Sequence, residues 1–548
     1  MLSLISNGGL VEEFTQKEQD ILSQFCTSTT SDVFCLMNLP EAVKGALFSR
    51  YSRSTKSLRR VLLDEFILNP ESGFDAIVGE MKNRGESQIV ATKKAEDFYD
   101  RVLVGYGDDS VAELGGAHLA AESISNLATK FMQDARIGIS PLEKSTRYVY
   151  FDQKVDDKYR YLREEKIMSS RFADKYIAAC DLLFDTYSSL ISKLTKIEEE
   201  KNPRAVDVSE RAYASTIRAK VCDLLRGILP AGTLTNAGFF GNGRAFEYLL
   251  AKMYASPLSE MRAIAPQAQS ELGKVIPSFV KRANDKYGKE MQAYFAATRA
   301  AVSSLAAKHS VAAATDSSHT TLVDFDADAE DKVLSAILFP RLHCSFEEAQ
   351  AIAKRMPHAE REELISAYIG NRANRRQKPG RAFESTFYTF CVTGNFGMYR
   401  DLHRHRILTQ ERQLLTTAHG FDMPQELIEA GFDKQVLEAL SSADALFREM
   451  EKEMPYEAQY VVPLGYRMRW YIKMNLREAY HFCELRSMRQ GHIDYRRVAQ
   501  GMHTLLKKTH PLLTSGMKFV DHESYALERL EAEKKIDRKL AQLGQKKN

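Results

Sequence analysis

From Leu114 onward the apolar residues fall at Ala117, Ala121, Ile124, Ala128, Phe131 and Ala135. This spacing of threes and fours predicts an amphipathic helix ending near Gly138, since Pro141 bars its continuation. Glu122, Ser125 and Lys130 lie off the stripe and read as ordinary polar positions. Gly105-Tyr-Gly-Asp-Asp-Ser110 before it is a turn signal, and Glu143 to Tyr148 after it read as a loop whose amides and hydroxyls are free to meet a ligand. A different period governs residues 383–392. Phe383, Ser385, Phe387, Thr389 and Cys391 alternate with Glu384, Thr386, Tyr388, Phe390 and Val392. Their aromatic and β-branched content predicts a strand buried partly on both faces and broken by Gly394 and Gly397. A helix is expected next, carrying the basic stretch Leu402 to Leu415. Leu527, Leu530, Ile536, Leu540 and Leu543 mark the tail as an amphipathic, solvated or oligomer-supporting helix.

The patterning also repeats. Ala46 to Ser54 faintly resembles Ile337 to Ser345, and Leu229-Pro230 followed by Asn242-Gly-Arg244 matches Val462-Pro463 followed by Asn475-Leu-Arg477 with the same separation. Identity and spacing coincide in this last pair, which predicts two homologous copies: residues 1–282, a linker over 283–320 that is rich in Ala and Ser, and residues 321–548. A chain of 548 residues exceeds what one core normally organises. With 44% hydrophobic and 27% charged residues it is ordinary for a globular protein, and a net charge of +3 gives no chain-wide attraction to polyanions. The seven cysteines are scattered without metal-ligand spacing, which favours a reducing cytoplasm and no metal site. No signal peptide or membrane-spanning run is expected.

Arg404, His405 and Arg406 stand together in the basic stretch. Alone they fit a solvated charge cluster or a nucleic-acid patch, as does Arg372 to Arg381. Far upstream lies Ser140-Pro-Leu-Glu-Lys-Ser-Thr-Arg-Tyr148. Together the two stretches resemble one motif of the flavin-dependent thymidylate synthase family cut in two, in which Arg-His-Arg, a Ser/Thr three residues on, and Glu-x-Ser-x-Arg run continuously. Arg404-His405-Arg406 with Thr409 matches the front, but Arg412, Leu414 and Thr416 do not match the rear. Ser140, Glu143, Ser145, Arg147 and Tyr148 match the rear, while Ala135-Arg136-Ile137 stand where the triplet belongs.

The resemblance implies an α+β fold of two tandem units, each a mostly antiparallel sheet with packed helices. It implies conversion of dUMP to dTMP with FAD as cofactor and methylenetetrahydrofolate and NADPH as co-substrates. Glu143, Ser145, Arg147 and Arg226, the last four residues before Pro230, would hold the phosphate. Arg486, nine residues beyond Arg477, would polarise the pyrimidine with Arg404, while Arg404, His405, Arg406, Asn242, Arg244, Asn475 and Arg477 would meet the flavin. Gln459 and Met253 occupy the positions of Arg226 and Arg486 in the other copy and cannot replace them. The family builds each site from more than one subunit, so a homodimer acting as a pseudo-tetramer is expected, with sites forming within or between chains. The sequence departs from the pattern at Asp108 and Pro379, where the family has a flavin-proximal histidine, and at Asp401, where it has a glutamine near the pyrimidine. The alternatives are a non-catalytic nucleotide- or flavin-binding protein of the same fold, or a nucleic-acid-binding protein.

Overall fold

A computed structural model describes residues 12–52, 54–69, 111–309, 311 and 317–545. The turn predicted at 105–110, with Asp108, lies outside them. In chain order the elements that matter are β1 (Gly116–Ser125), α1 (Asn126–Gln133), β2 (Ile139–Glu143), α2 (Ala173–Lys201), α3 (Glu210–Leu225), β3 (Leu234–Asn242), α4 (Gly243–Tyr254) and α5 (Lys286–Ala306). They continue with β4 (His319–Phe325), β5 (Phe387–Asn395), α6 (Phe396–Leu402), β6 (Thr409–Arg412), α7 (Asp433–Met450), β7 (Arg467–Asn475), α8 (Leu476–Arg486), α9 (Ile493–Thr509) and α10 (Leu530–Gln545). Helices and antiparallel sheet mix along the described residues, so the fold class is α+β as expected.

The chain divides into two compact units. One comprises residues up to 122 with 134–142 and 237–309; the other comprises 123–133, 143–236 and 310–548. β1, β3 and β2 form a three-stranded sheet in that order, and the unit boundary passes along these strands. The second unit holds a four-stranded sheet ordered β4-β5-β7-β6, antiparallel throughout. Tyr388, Phe390 and Val392 of β5 and Met468, Trp470, Ile472 and Met474 of β7 bury one face, the two-residue alternation that drives strand pairing.

Three sequence expectations change. The stretch from Leu114 is not one helix: residues 116–125 form β1, and only α1 is helical. Gly116 decides this, because a Cβ there would lie 2.7 Å from the Gly241 carbonyl, a backbone approach suited to strand pairing. The strand predicted from Phe383 begins at Phe387, after a 3₁₀ turn over Arg381–Glu384, and passes through Gly394. That glycine does not break it; its missing Cβ leaves room for Met398, whose sulfur would otherwise be 2.7 Å away. The Arg404 triplet does not ride on a helix. α6 ends at Leu402, and the triplet lies in the turn between α6 and β6.

The repeat is visible as a local two-fold pairing in the second unit. Pro230 and Pro463 face each other in an antiparallel bridge. Ala231 N–H donates to the Val462 carbonyl at 2.8 Å and Leu464 N–H to the Leu229 carbonyl at 2.9 Å. Gly232 N–H donates to Tyr460 and Gly465 N–H to Gly227, each at 2.8 Å. The pairs exchange under one sequence offset, the same that superposes β3 on β7. Gly232 and Gly465 are equivalent under it, and a Cβ on either would meet a carbonyl of the facing copy at 3.0 and 3.1 Å. The predicted tail helix is α10. It docks on α3 through Arg211 with Glu533 and Asp537, and Lys534 meets Asp207.

Candidate functional site: a buried arginine cluster

Within the second unit, α1, the loop after β2, the residue after α3, α6, the turn that follows it and the end of α8 bring six cations together. Ser125 accepts from Ala128 N–H at 2.9 Å, starting α1 and turning Lys130 fully inward. Its ammonium lies 2.9 Å from Glu143 at the end of β2 and donates to Gln133 at 2.9 Å. Lys130, read from the sequence as an ordinary polar position, is therefore a buried member of the site. Arg147, in the loop after β2, forks onto Asp223 of α3 at 2.7 and 2.6 Å and donates to the Tyr495 hydroxyl at 3.2 Å. Ser145 accepts from the Arg147 amide at 3.2 Å and shapes that loop. Arg226 follows α3 and pairs with Asp401 at 3.2 Å. Arg400 and Arg404 face Glu143 at 3.6 and 3.3 Å.

The cluster thus holds Lys130, Arg147, Arg226, Arg400, Arg404 and Arg486 against three carboxylates, Glu143, Asp223 and Asp401. Burial opposes ionisation of Glu143, yet Lys130 and then Arg400 and Arg404 hold it down to about 2. Burial likewise opposes Asp401, but Arg226, Arg404, Arg147 and Arg486 keep it well below the carboxylate range. Burial lowers Lys130 to about 8 despite Glu143. Two donors are left over: Arg226 Nη2 and Arg400 Nε are buried with no hydrogen-bond partner. Buried orphan donors cost about 1–3 kcal/mol each, a cost that an added acceptor would relieve. A cavity of about 850 Å³ opens beside Arg226, lined also by Asp223, Asn395, Arg467, His492 and Asp494.

His405 lies inward and is buried, packed 4.6 Å from the Phe482 ring. Its Nδ1 is 2.6 Å from Glu478 Oε1, and its Nε2 accepts from Arg486 Nε at 2.8 Å. His405, Glu478 and His481 bring ligand-type atoms within 4.8 Å of one another, but both nitrogens of His405 are already engaged in hydrogen bonds. Arg406 points outward and is exposed.

The structure therefore gathers Glu143, Ser145, Arg147, Arg226, Arg404, His405 and Arg486, from both copies of the repeat, within one chain. Asn475 and Arg477 sit at the start of α8. Asn475 accepts from Glu478 N–H at 2.9 Å as helix cap, and Arg477 donates to the Pro379 carbonyl at 2.8 Å. Asn242 and Arg244 belong to the first unit, where Asn242 caps α4 by accepting from Ala245 N–H at 2.8 Å and Arg244 pairs with Glu113 at 3.0 Å. Both Asn-x-Arg asparagines are helix caps, a structural reason for their recurrence. The basic stretch Arg372 to Arg381 is not a continuous surface: Arg372 is buried, forked onto Glu484 at 2.7 and 2.6 Å. Lys130, Arg400, Asp223, Tyr495 and Glu478 escaped the sequence reading. Arg400, four residues before Arg404, and Glu478, directly after Arg477, stood close enough to a motif to be found.

The fold and this cluster define an α+β protein with a buried, arginine-rich cluster assembled from two repeated halves. The model of the thymidylate synthase complementing protein family matches residues 64–278 and 321–512, and the chain belongs to that family. It is 45% identical over 528 residues to a UPF0159 protein of Chlamydia pneumoniae, covering 96% of this chain and 98% of that one. A UPF0159 protein of Thermoplasma acidophilum is 35% identical over 522 residues, covering 89% and 97%. The crystal structure of a UMP/dUMP methylase, PolB, from Streptomyces cacaoi bound with 5-Br dUMP is similar at 18% identity and a TM-score of 0.29. It covers 37% of this chain and 96% of that chain, a likeness too slight to carry argument. No helix among the described residues is long and apolar enough to cross a membrane.

Proposed function

We propose that this chain is a flavin-dependent thymidylate synthase that methylates dUMP reductively to dTMP. The methylene carbon comes from methylenetetrahydrofolate, and NADPH recharges the flavin. The observation that carries the proposal is the pair of orphan donors on Arg226 and Arg400 inside a cluster with more cations than carboxylates. A phosphomonoester dianion satisfies both, and Arg147, Ser145 and the region of Glu143 complete its surroundings. Arg486 and Arg404 are the cations aimed at the pyrimidine, where negative charge develops during attack on the ring.

FAD, when bound, would supply the hydride. The side chains offered to it fit in part. The side chains of Arg404 and Arg477 are 37% and 36% exposed and can meet a diphosphate, as can exposed Arg406, while that of Arg244, in the first unit, is 57% exposed. Asn242 and Asn475 are committed to their caps, and His405 faces Arg486. The same reading treats residues 1–282 and 321–548 as two copies joined by 283–320, in a cytoplasmic homodimer.

A second reading, a nucleotide-binding protein without turnover, is favoured by one feature: Asp401 already holds Arg226, a cation the phosphate would use, and Arg404, a cation the pyrimidine would use. Tritium release from dUMP labelled at C5, with each cofactor omitted in turn, separates the two. Release that requires both flavin and folate supports the synthase; tight dUMP binding with no release under any combination supports the binder. A nucleic-acid role is disfavoured by the inward turn of Arg372 and of the cluster.

A further inference from the structure

We propose that Glu478 is a positioning residue that acts through His405 to fix the orientation of Arg486. The inference rests on the reading of Arg486 as a pyrimidine-facing cation, but its first link does not. A guanidinium has only donors, so the His405 Nε2 that meets Arg486 Nε at 2.8 Å must present its lone pair. The imidazole proton is thereby placed on Nδ1, where Glu478 Oε1 accepts it at 2.6 Å. One carboxylate oxygen thus selects the tautomer, and the tautomer decides whether Arg486 is held.

The supports are local. Glu478 lies in the first turn of α8, with its amide capped by Asn475, and Arg486 is the last residue of the same helix. His405 spans the two, wedged against Phe482 and 5.3 Å from the His481 ring. With Nε held by His405, the two Nη groups of Arg486 are the ones left to face a ligand. Protonating His405 would set two donors against each other and release Arg486. The groups facing this trio include Lys378, Arg375, Arg477 and His481; burial, then Arg486, His481 and Lys378, hold His405 well below its ordinary value, so it stays neutral. Burial raises Glu478 to about 7 against Lys378 and Arg477, and either of its protonation states leaves an oxygen able to accept.

The test compares Glu478→Ala with Glu478→Gln in the full chain. Nitrogen NMR of ¹⁵N-histidine-labelled protein reads the tautomer among the thirteen histidines, with His405→Gln assigning the signal. Wild type and E478Q should show a single Nδ1–H form, and E478A a mixture. Calorimetric titration should show dUMP and deoxyuridine weakened alike in E478A, by about tenfold, and restored in E478Q, as expected for one lost charge-assisted contact. An unchanged tautomer in E478A, or an E478Q that matches E478A while melting like wild type, overturns the proposal. If the tautomer responds but wild type binds neither dUMP nor deoxyuridine, the positioning stands and the functional reading fails.

Discussion

Replacing Lys130 by Met tests whether the arginine cluster is electrostatically balanced or strained. The folded carboxylate of Glu143 lies at about 2 against an ordinary 4.5, since Lys130, Arg400 and Arg404 outweigh its burial. It therefore contributes about 3 kcal/mol above pH 4.5, lost as pH falls toward 2. Lys130 works the other way. Burial brings it from 10.5 to about 8, so the unfolded chain binds its proton more tightly. Keeping it charged costs the fold about 3 kcal/mol at neutral pH, a cost relieved as pH rises from 8 to 10.5. The pair nearly cancels, yet removing one member leaves a buried charge. K130M should then lose about 3 kcal/mol, at the low end for a broken buried pair because Arg400 and Arg404 remain, whereas K130M/E143L should stay near wild type. By the scaling of Tm with domain size, the single variant should melt on the order of 5 °C lower. Melts at pH 7 and pH 9.5 provide the assay, the wild type gaining stability at the higher pH relative to K130M. A K130M protein that melts like wild type, or a double variant as unstable as the single, refutes the reasoning.

Three further outcomes are expected. Arg226→Ala and Arg147→Ala should each weaken dUMP binding by about 1.5–3 kcal/mol while leaving deoxyuridine binding unchanged, read by titration of both ligands. Met253→Leu should be silent, but Met253→Ala should lose about 2–4 kcal/mol of stability without changing activity per folded molecule, because Met253 is fully buried. Light scattering combined with dUMP titration should give one nucleotide per chain, and four equal sites in a dimer would contradict the complementary halves.

What was legible in the sequence followed from chemistry that is local. Arg147, Arg226, Arg404 and Arg486 were found because each sits at a fixed distance from a motif, and the repeat was found because a proline and an asparagine kept their spacing. Lys130 was missed because its role depends on the length of α1. In a long helix from Leu114 it would face away from the apolar stripe, and only the strand before it turns it inward. The strand itself was hidden by alanines that suit either period, and Gly115-Gly116 was the one signal against a helix. The pairings of Asp223, Tyr495 and Glu478 could not be read at all. Their partners lie 76, 348 and 73 residues away along the chain, and no periodicity carries such pairings.

The pairing at Pro230 and Pro463 explains why the losses are complementary rather than random. A two-fold contact sets the rear motif of one copy near the triplet of the other, so the composite site needs only one set of each. At the equivalent of Arg226, an arginine with no anion would leave buried donors unsatisfied, at about 1–3 kcal/mol apiece. Gln459 there is buried and bonded at both ends of its amide: its oxygen accepts from Leu415 N–H at 3.0 Å and its nitrogen donates to the Tyr456 carbonyl at 2.9 Å. Met253, at the equivalent of Arg486, fills a core position with no polar atom to satisfy. Once both copies lay on one chain, replacing the second arginine by a residue with internal partners removed a desolvation cost without touching the retained site. Arg226 and Arg400 keep that cost, which on the proposed reading the substrate phosphate offsets.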